Sequence, residues 1–232
     1  MAQRLTHLIT PGDHYSPLTG SAVPTVVHGL SSATPVGEAS PVVVVARGTY
    51  AERYDDARIV EYDDHVPGRL AGKAMRYVDP VCGAVLGTRP AARRRSRPAV
   101  EASGQGDGVV LAHNLPQSVP LLHAAGHASA LYAHNQLLGT YTSREASRAL
   151  DGATAIVAVS DYLADALSER LPPRLRSRVT VVRNGVDADQ FAAPERVDDG
   201  VVDVAFIGRV IPEKGSTSSS RPWSGPGVPT SG

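Results

Sequence analysis

Toward its C-terminus the chain reads Asn184-Gly185-Val186-Asp187, with Phe191 four residues on, then an apolar run ending in Gly208-Arg209, with Lys214-Gly215 beyond. Asn-Gly after a strand suits a tight turn with positive φ. Glycine lets the backbone come close to a ligand, and an arginine and a lysine five residues apart can clamp a diphosphate through charge-assisted hydrogen bonds. Two further pairs, His113-Asn114 and His134-Asn135, each close an apolar segment. Imidazole and carboxamide both donate and accept, which suits hydroxyl-rich ligands. Residues 11–21, PGDHYSPLTGS, precede a predicted helix, and Gly20 removes a side chain where that helix begins. Free N–H groups there can receive an anion or a sugar hydroxyl. The plainer reading of the same segment is a left-handed turn with Ser21 as helix cap. No cluster of residues has the spacing of a metal site.

These positions acquire a common purpose only if the intervening elements bring them to one edge. The pattern predicts strands at 5–10, 41–47, 58–62, 108–113, 130–134, 155–160, 178–183 and 203–208. VVVVA, VVLAH and IVAVS are apolar almost throughout, as strands covered on both faces should be. Helices are predicted at 22–33, 68–86, 118–125, 143–150 and 161–170. In the last of these Ser160 can cap, and Leu163, Ala166, Leu167 and Leu171 make one apolar stripe. Strands alternating with helices imply βαβ units: an α/β, Rossmann-like parallel sheet flanked by helices. Ligands bind such sheets at the carboxyl ends of the strands, where the polar pairs lie.

Two stretches resist that pattern. Residues 88–108, with RRRSR at 93–97, read as a mobile basic loop, or as a contact for anionic lipid headgroups worth about 1 kcal/mol per basic residue. Residues 216–232, STSSSRPWSGPGVPTSG, hold no Asp or Glu and read as a disordered tail.

Composition excludes several classes. The 23 basic and 23 acidic residues cancel, and RRRSR has no interleaved aromatics, so nucleic acid is not an expected partner. The single Cys82 cannot form an internal disulfide, and the N-terminus has no long apolar core, which together suit a reducing cytoplasm. The longest apolar run, 42–46, is too short to cross a bilayer, so membrane contact would be peripheral, at the inner face. A nicotinamide oxidoreductase is disfavoured, because GQGDG at 104–108 has the wrong spacing and precedes a strand.

NGVD-x-x-x-F followed by IGR-x-x-PEKG resembles the retaining glycosyltransferases of the GT-B fold, the large family numbered four. The resemblance runs from Arg4 to Gly215, through the TP-G opening, the glycine loop, the AHN strand ends and AIVAVSDYLADAL. It implies two Rossmann-like domains with the active site between them, a nucleoside-diphosphate sugar, a hydroxyl acceptor, and neither cofactor nor metal. It maps the glycine loop onto Gly20, with Ser21 where many members have a second glycine. His134 becomes the catalytic-site histidine, touching transferred sugar or acceptor. Arg209 and Lys214 become the cations that stabilise the leaving diphosphate. His113, Asn114, Asn135, Asn184 and Gly185 join Gly20 and Ser21 on the acceptor side of the cleft.

The expected organisation is an acceptor-side domain over residues 1–200, the first strand and phosphate loop of a donor domain over 201–215, and the tail. The carboxylates by which the family's donor domain grips sugar and ribose are not found after Gly215. Losing one nucleotide near that codon would explain this, since the tail then restores to VDVLVEALVGPRRPDVR, an amphipathic helix. A natural tail or added linker is the alternative. The function expected is transfer of a sugar with retention, inactive in a chain so shortened. The alternative is a noncatalytic module that binds glycans or lipid headgroups.

Overall fold

The computed structural model describes residues 4–35, 39–48, 50–64, 68–104, 108–186 and 188, with backbone alone at 69–71 and 76. The chain divides into two compact units, Met1–Asp187 and Ala188–Gly232. The second lies outside the described residues except for Ala188, as do the expected strand at 203–208 and the tail.

Seven short strands build the first unit: β1 (Arg4–Leu8), β2 (Val42–Ala46), β3 (Arg58–Tyr62), β4 (Gly108–His113), β5 (Ala128–Ala133), β6 (Ala155–Ala158) and β7 (Val179–Val181). They form one sheet in the order β3-β2-β1-β4-β5-β6-β7, and every pair is parallel. The fold is thus the expected Rossmann-like α/β sheet. The chain leaves β1 toward β2 and returns after β3 to the other side of β1, so the direction reverses between β1 and β4. Crevices at such a reversal receive ligands in open α/β sheets. Gly108 makes the β1–β4 contact sterically feasible, because a Cβ there would overlap the Arg4 carbonyl.

The helices are α1 (Ala22–Ser32), α2 (Arg69–Leu86), α3 (Pro90–Ala102), α4 (Val119–Ala124), α5 (Ser143–Leu150), α6 (Asp161–Arg170) and α7 (Pro173–Arg176). One face of the sheet carries Leu8, Val44, Ala112, Leu131 and Ile156, packed with apolar residues of α3, α4, α5, α6 and α7. On the other face Val43 and Val45 pack with Ile9, Tyr15 and, from α1, Val23 and Val27. β2 is buried at all five positions because both layers cover it. Ser160 caps α6 as its sequence suggests, its hydroxyl accepting from Leu163 N–H at 3.2 Å.

Residues 88–108 correct the sequence reading: α3 occupies most of what was expected to be a loop. Pro90 sits at the first turn, where its missing N–H is not needed, and Ala and Arg are good helix formers. Asp79, on α2, caps α3, its carboxylate accepting from Ala91 N–H at 2.9 Å and Ala92 N–H at 2.8 Å. Ser96, Ala99 and Val100 are buried, the helical spacing that the arginines obscured. The short α7, with Leu175 fully buried, also escaped prediction.

Candidate functional site

β5 ends at Ala133, so His134 is the first residue past the strand and not its last. β4 and β5 are neighbours, with His113 opposite Tyr132, so the two His-Asn pairs share the carboxyl edge. Paired residues of parallel strands project from the same side of the sheet. His7 of β1 pairs with Leu111, two residues before His113, on that side too. The result is a diagonal row of three imidazoles. His7 Nδ1 lies 3.0 Å from His113 Nε2, and His113 Nδ1 lies 2.9 Å from His134 Nε2. Tyr132 stacks on His113 and His134 with centroids 5.0 Å and 4.9 Å away.

Local bonds hold the row. Asn114 adopts a left-handed φ of 57°, and its side-chain oxygen accepts from His134 N–H at 2.8 Å. Thr10 donates its hydroxyl to the His113 carbonyl at 3.2 Å. His7 and His113 have no exposed surface, and His134 is half-buried. Burial lowers His7 to about 4, despite the opposing pull of Asp56. It lowers His134 to about 4, and His113 well below its ordinary value with His7 and His134 adding to the effect. All three rings are therefore neutral at neutral pH.

The β1–α1 segment lies at the same edge. Tyr15 anchors it, fully buried, with its hydroxyl donating to Asp56 at 2.8 Å. Gly20 is exposed, has no positive φ, and would have open space around a Cβ. The left-handed residue of this segment is Gly12, not Gly20. Ser21 takes the N-cap backbone position of α1 but its hydroxyl forms no capping bond.

Asn184 and Gly185 fall after β7, at the sheet's edge, two strands or roughly 10 Å from β5. Both are exposed, and the expected turn with positive φ is not formed. Val182 N–H still bonds Ala158 O at 2.9 Å, so the chain leaves β7 extended, and Asn-Gly permits a turn without requiring one. Asn135 is exposed beside His134. Arg209 and Lys214 lie outside the described residues. Sequence reasoning missed His7, whose signal was a histidine inside an otherwise apolar first strand.

A cavity of about 360 Å³ opens between Gln136, Leu138 and α6, and none of the three histidines lines it. Among the described residues no group of three His, Cys, Asp or Glu side chains is placed to hold a metal ion, and no helix is long and apolar enough to cross a membrane.

No curated protein matches the chain in sequence. Its fold is similar to the crystal structure of Anabaena Alr3699/HepE in complex with UDP, at 12% identity and a TM-score of 0.44, covering 82% of this chain and 46% of that one. The same protein in complex with UDP-glucose gives 12%, 0.42, 80% and 45%. The chain thus spans less than half the length of these solved structures. The family model described as Glycosyltransferase Family 4 matches residues 41–190, which contain β2 through β7 and both His-Asn pairs. Since that match takes in well over half of the 232 residues, the chain belongs to glycosyltransferase family 4.

Proposed function

We propose that the chain serves transfer of a sugar from a nucleoside diphosphate to a hydroxyl acceptor, with the anomeric configuration retained. In that reaction the bond between anomeric carbon and diphosphate oxygen breaks, a bond to the acceptor oxygen forms, and the acceptor proton leaves on the diphosphate. The observation that carries the reading is the contact between His113 and His134 at the carboxyl edge of the sheet, both within the span matched by the family model. A neutral imidazole can bond a sugar or acceptor hydroxyl without demanding a counter-charge. Gly20, Ser21, His113, Asn114, Asn135, Asn184 and Gly185 would frame the acceptor side, and Arg209 and Lys214 would hold the diphosphate. Charge develops on that leaving group, so a cation pair stabilises the transition state without a metal or other cofactor.

A panel of nucleoside-diphosphate sugars and hydroxyl acceptors tests this by mass spectrometry. Glycosylated acceptor, formed with one equivalent of nucleoside diphosphate and lost in His134→Ala and Arg209→Ala, would support this reading and overturn the inactivity expected of the shortened chain. Glycan binding with no donor bound or consumed would replace this reading with the noncatalytic module.

We further propose a peripheral membrane location, supported by the α2–α3 hairpin. α2 is reversed relative to an ordinary surface helix: Asp79 and Gly83 face inward, while Tyr77, Val78, Val81, Val85 and Leu86 are exposed, Tyr77 to 77%. Residues 69–102 hold eight Lys or Arg against two acids, a net +6 within a chain of net zero. Apolar surface beside excess positive charge would suit an anionic bilayer surface, which supports peripheral contact at the cytoplasmic face of a membrane. Flotation with anionic but not zwitterionic vesicles, abolished in Tyr77→Ser/Val81→Ser/Val85→Ser, is expected. A concentration-dependent dimer without flotation would assign the face to a second copy instead.

A further inference from the structure

A contact between two imidazole nitrogens needs one N–H and one lone pair, so the proton on one ring dictates the proton on the next. With His7, His113 and His134 all neutral, two arrangements satisfy both contacts. In the first, each ring carries its proton on Nδ1: His7 donates to His113, His113 donates to His134, and His134 ends the row with Nδ1–H. In the second, each proton sits on Nε2, donation runs inward, and His134 ends the row with a bare Nδ1.

The buried end decides between them. Nε2 of His7 is buried and has no partner among the described residues. Outward donation leaves a lone pair unfilled there, and inward donation leaves an N–H unpaired. Buried backbone N–H groups left unpaired are rarer in folded proteins than under-satisfied carbonyls, and we apply the same order to the imidazole N–H and its lone pair. Outward donation is therefore favoured. Protonating the row is no escape, since burial holds all three rings neutral. The titratable groups that act on the row are Tyr132, stacked on two of its rings, and Asp56, whose charge is felt at His7. The backbone under the row is held by Thr10 on the His113 carbonyl and Asn114 on the His134 N–H, and the His113 and His134 rings stack on Tyr132.

We propose that His7 and His113 are positioning residues for His134, forming a one-way hydrogen-bond chain that fixes its Nδ1 as an N–H donor at the carboxyl edge of the sheet. An uncharged donor there selects an acceptor oxygen, such as a sugar hydroxyl. That choice of ligand rests on the glycosyl-transfer reading; the direction of the chain does not.

Nitrogen NMR of the uniformly ¹⁵N-labelled full chain at pH 7.5 tests the direction without ligand or turnover. Expected are three neutral rings protonated at Nδ1, with scalar coupling across both N–H···N contacts. Protonation of His134 at Nε2, a mixture, or absent coupling overturns the proposal. His113→Phe keeps an aromatic ring in the stack and cuts both contacts. His134 should then lose its single tautomer, while burial continues to hold its midpoint below the ordinary value. An unchanged His134 in that folded variant also overturns the proposal. Should His113→Phe fail to fold, His7→Phe passes the unpartnered buried end to Nε2 of His113; His134 should then keep Nδ1–H, and a switch to Nε2–H overturns the proposal. A chain seen by NMR in a protein that transfers no sugar sinks the functional reading alone. Transfer without the chain sinks this one alone.

Discussion

Arg89, at the start of α3, donates from Nε to the carboxylate of Glu145 on α5, a side chain with no exposed surface. The same guanidinium lies 3.7 Å from the centroid of the Tyr141 ring and donates to Thr140 O at 2.8 Å. One arginine thus ties the α2–α3 hairpin to α5. Removing one partner of a buried pair strands the other charge, which typically costs about 3–5 kcal/mol. Arg89→Ala should therefore destabilise by about 3 kcal/mol or more in urea unfolding. Glu145 Oε2 has no partner among the described residues, so the pair is imperfectly satisfied. Arg89→Met combined with Glu145→Leu should recover most of the loss, and a double variant no better than Arg89→Ala would contradict this account.

Gly83 of α2 leaves room for that buried carboxylate, since a Cβ there would overlap the Glu145 side chain. Gly83→Ala gains about 1 kcal/mol of helix propensity but overpacks the site, a change that usually costs about 1–3 kcal/mol. Net destabilisation is expected in the wild-type background and net stabilisation in Glu145→Ala. A double-mutant cycle from thermal melts reads the sign change.

Asp79 supplies the cap of α3 from another helix, accepting two backbone N–H groups. Asp79→Ala should cost about 1–2 kcal/mol and loosen α3 before the rest of the fold. Hydrogen exchange at Ala91 and Ala92 checks the locality: uniform loss of protection would refute the cap. Asp79→Asn retains one accepting oxygen and should fall between.

Stability should fall with acid across the histidine window. The unfolded rings take up protons near 6.5, whereas His7 and His134 do so near 4 in the fold. Between those values the unfolded state binds more protons, so the native state is at full stability above about pH 6.5 and loses it down to about pH 4. Urea midpoints at pH 7.5, 6 and 5 should decline, and less steeply in His7→Gln. Parallel slopes in the two proteins would remove His7 from the explanation.

Much of this architecture is legible in the chain because strand burial is written residue by residue. VVVVA is buried at every position of β2, VVLAH at Val110, Ala112 and His113 of β4, and Ser160 announces α6. α3 was hidden because its arginines and prolines read as a loop, and because its cap comes from Asp79 on the preceding helix. His134 and His113 were visible as strand-end pairs. His7 was not, because its meaning depends on β1 lying beside β4, which are separated by about a hundred residues.

By itself the sequence determined the family, the alternation of strands and helices, and which polar residues end them, since these depend on local pattern and spacing. Only the tertiary structure decided that β1 lies beside β4 and β4 beside β5, and so that three histidines make one row. Sheet order sets which rings meet, burial sets their charge, and nitrogen-to-nitrogen contact makes the proton on each ring depend on its neighbour.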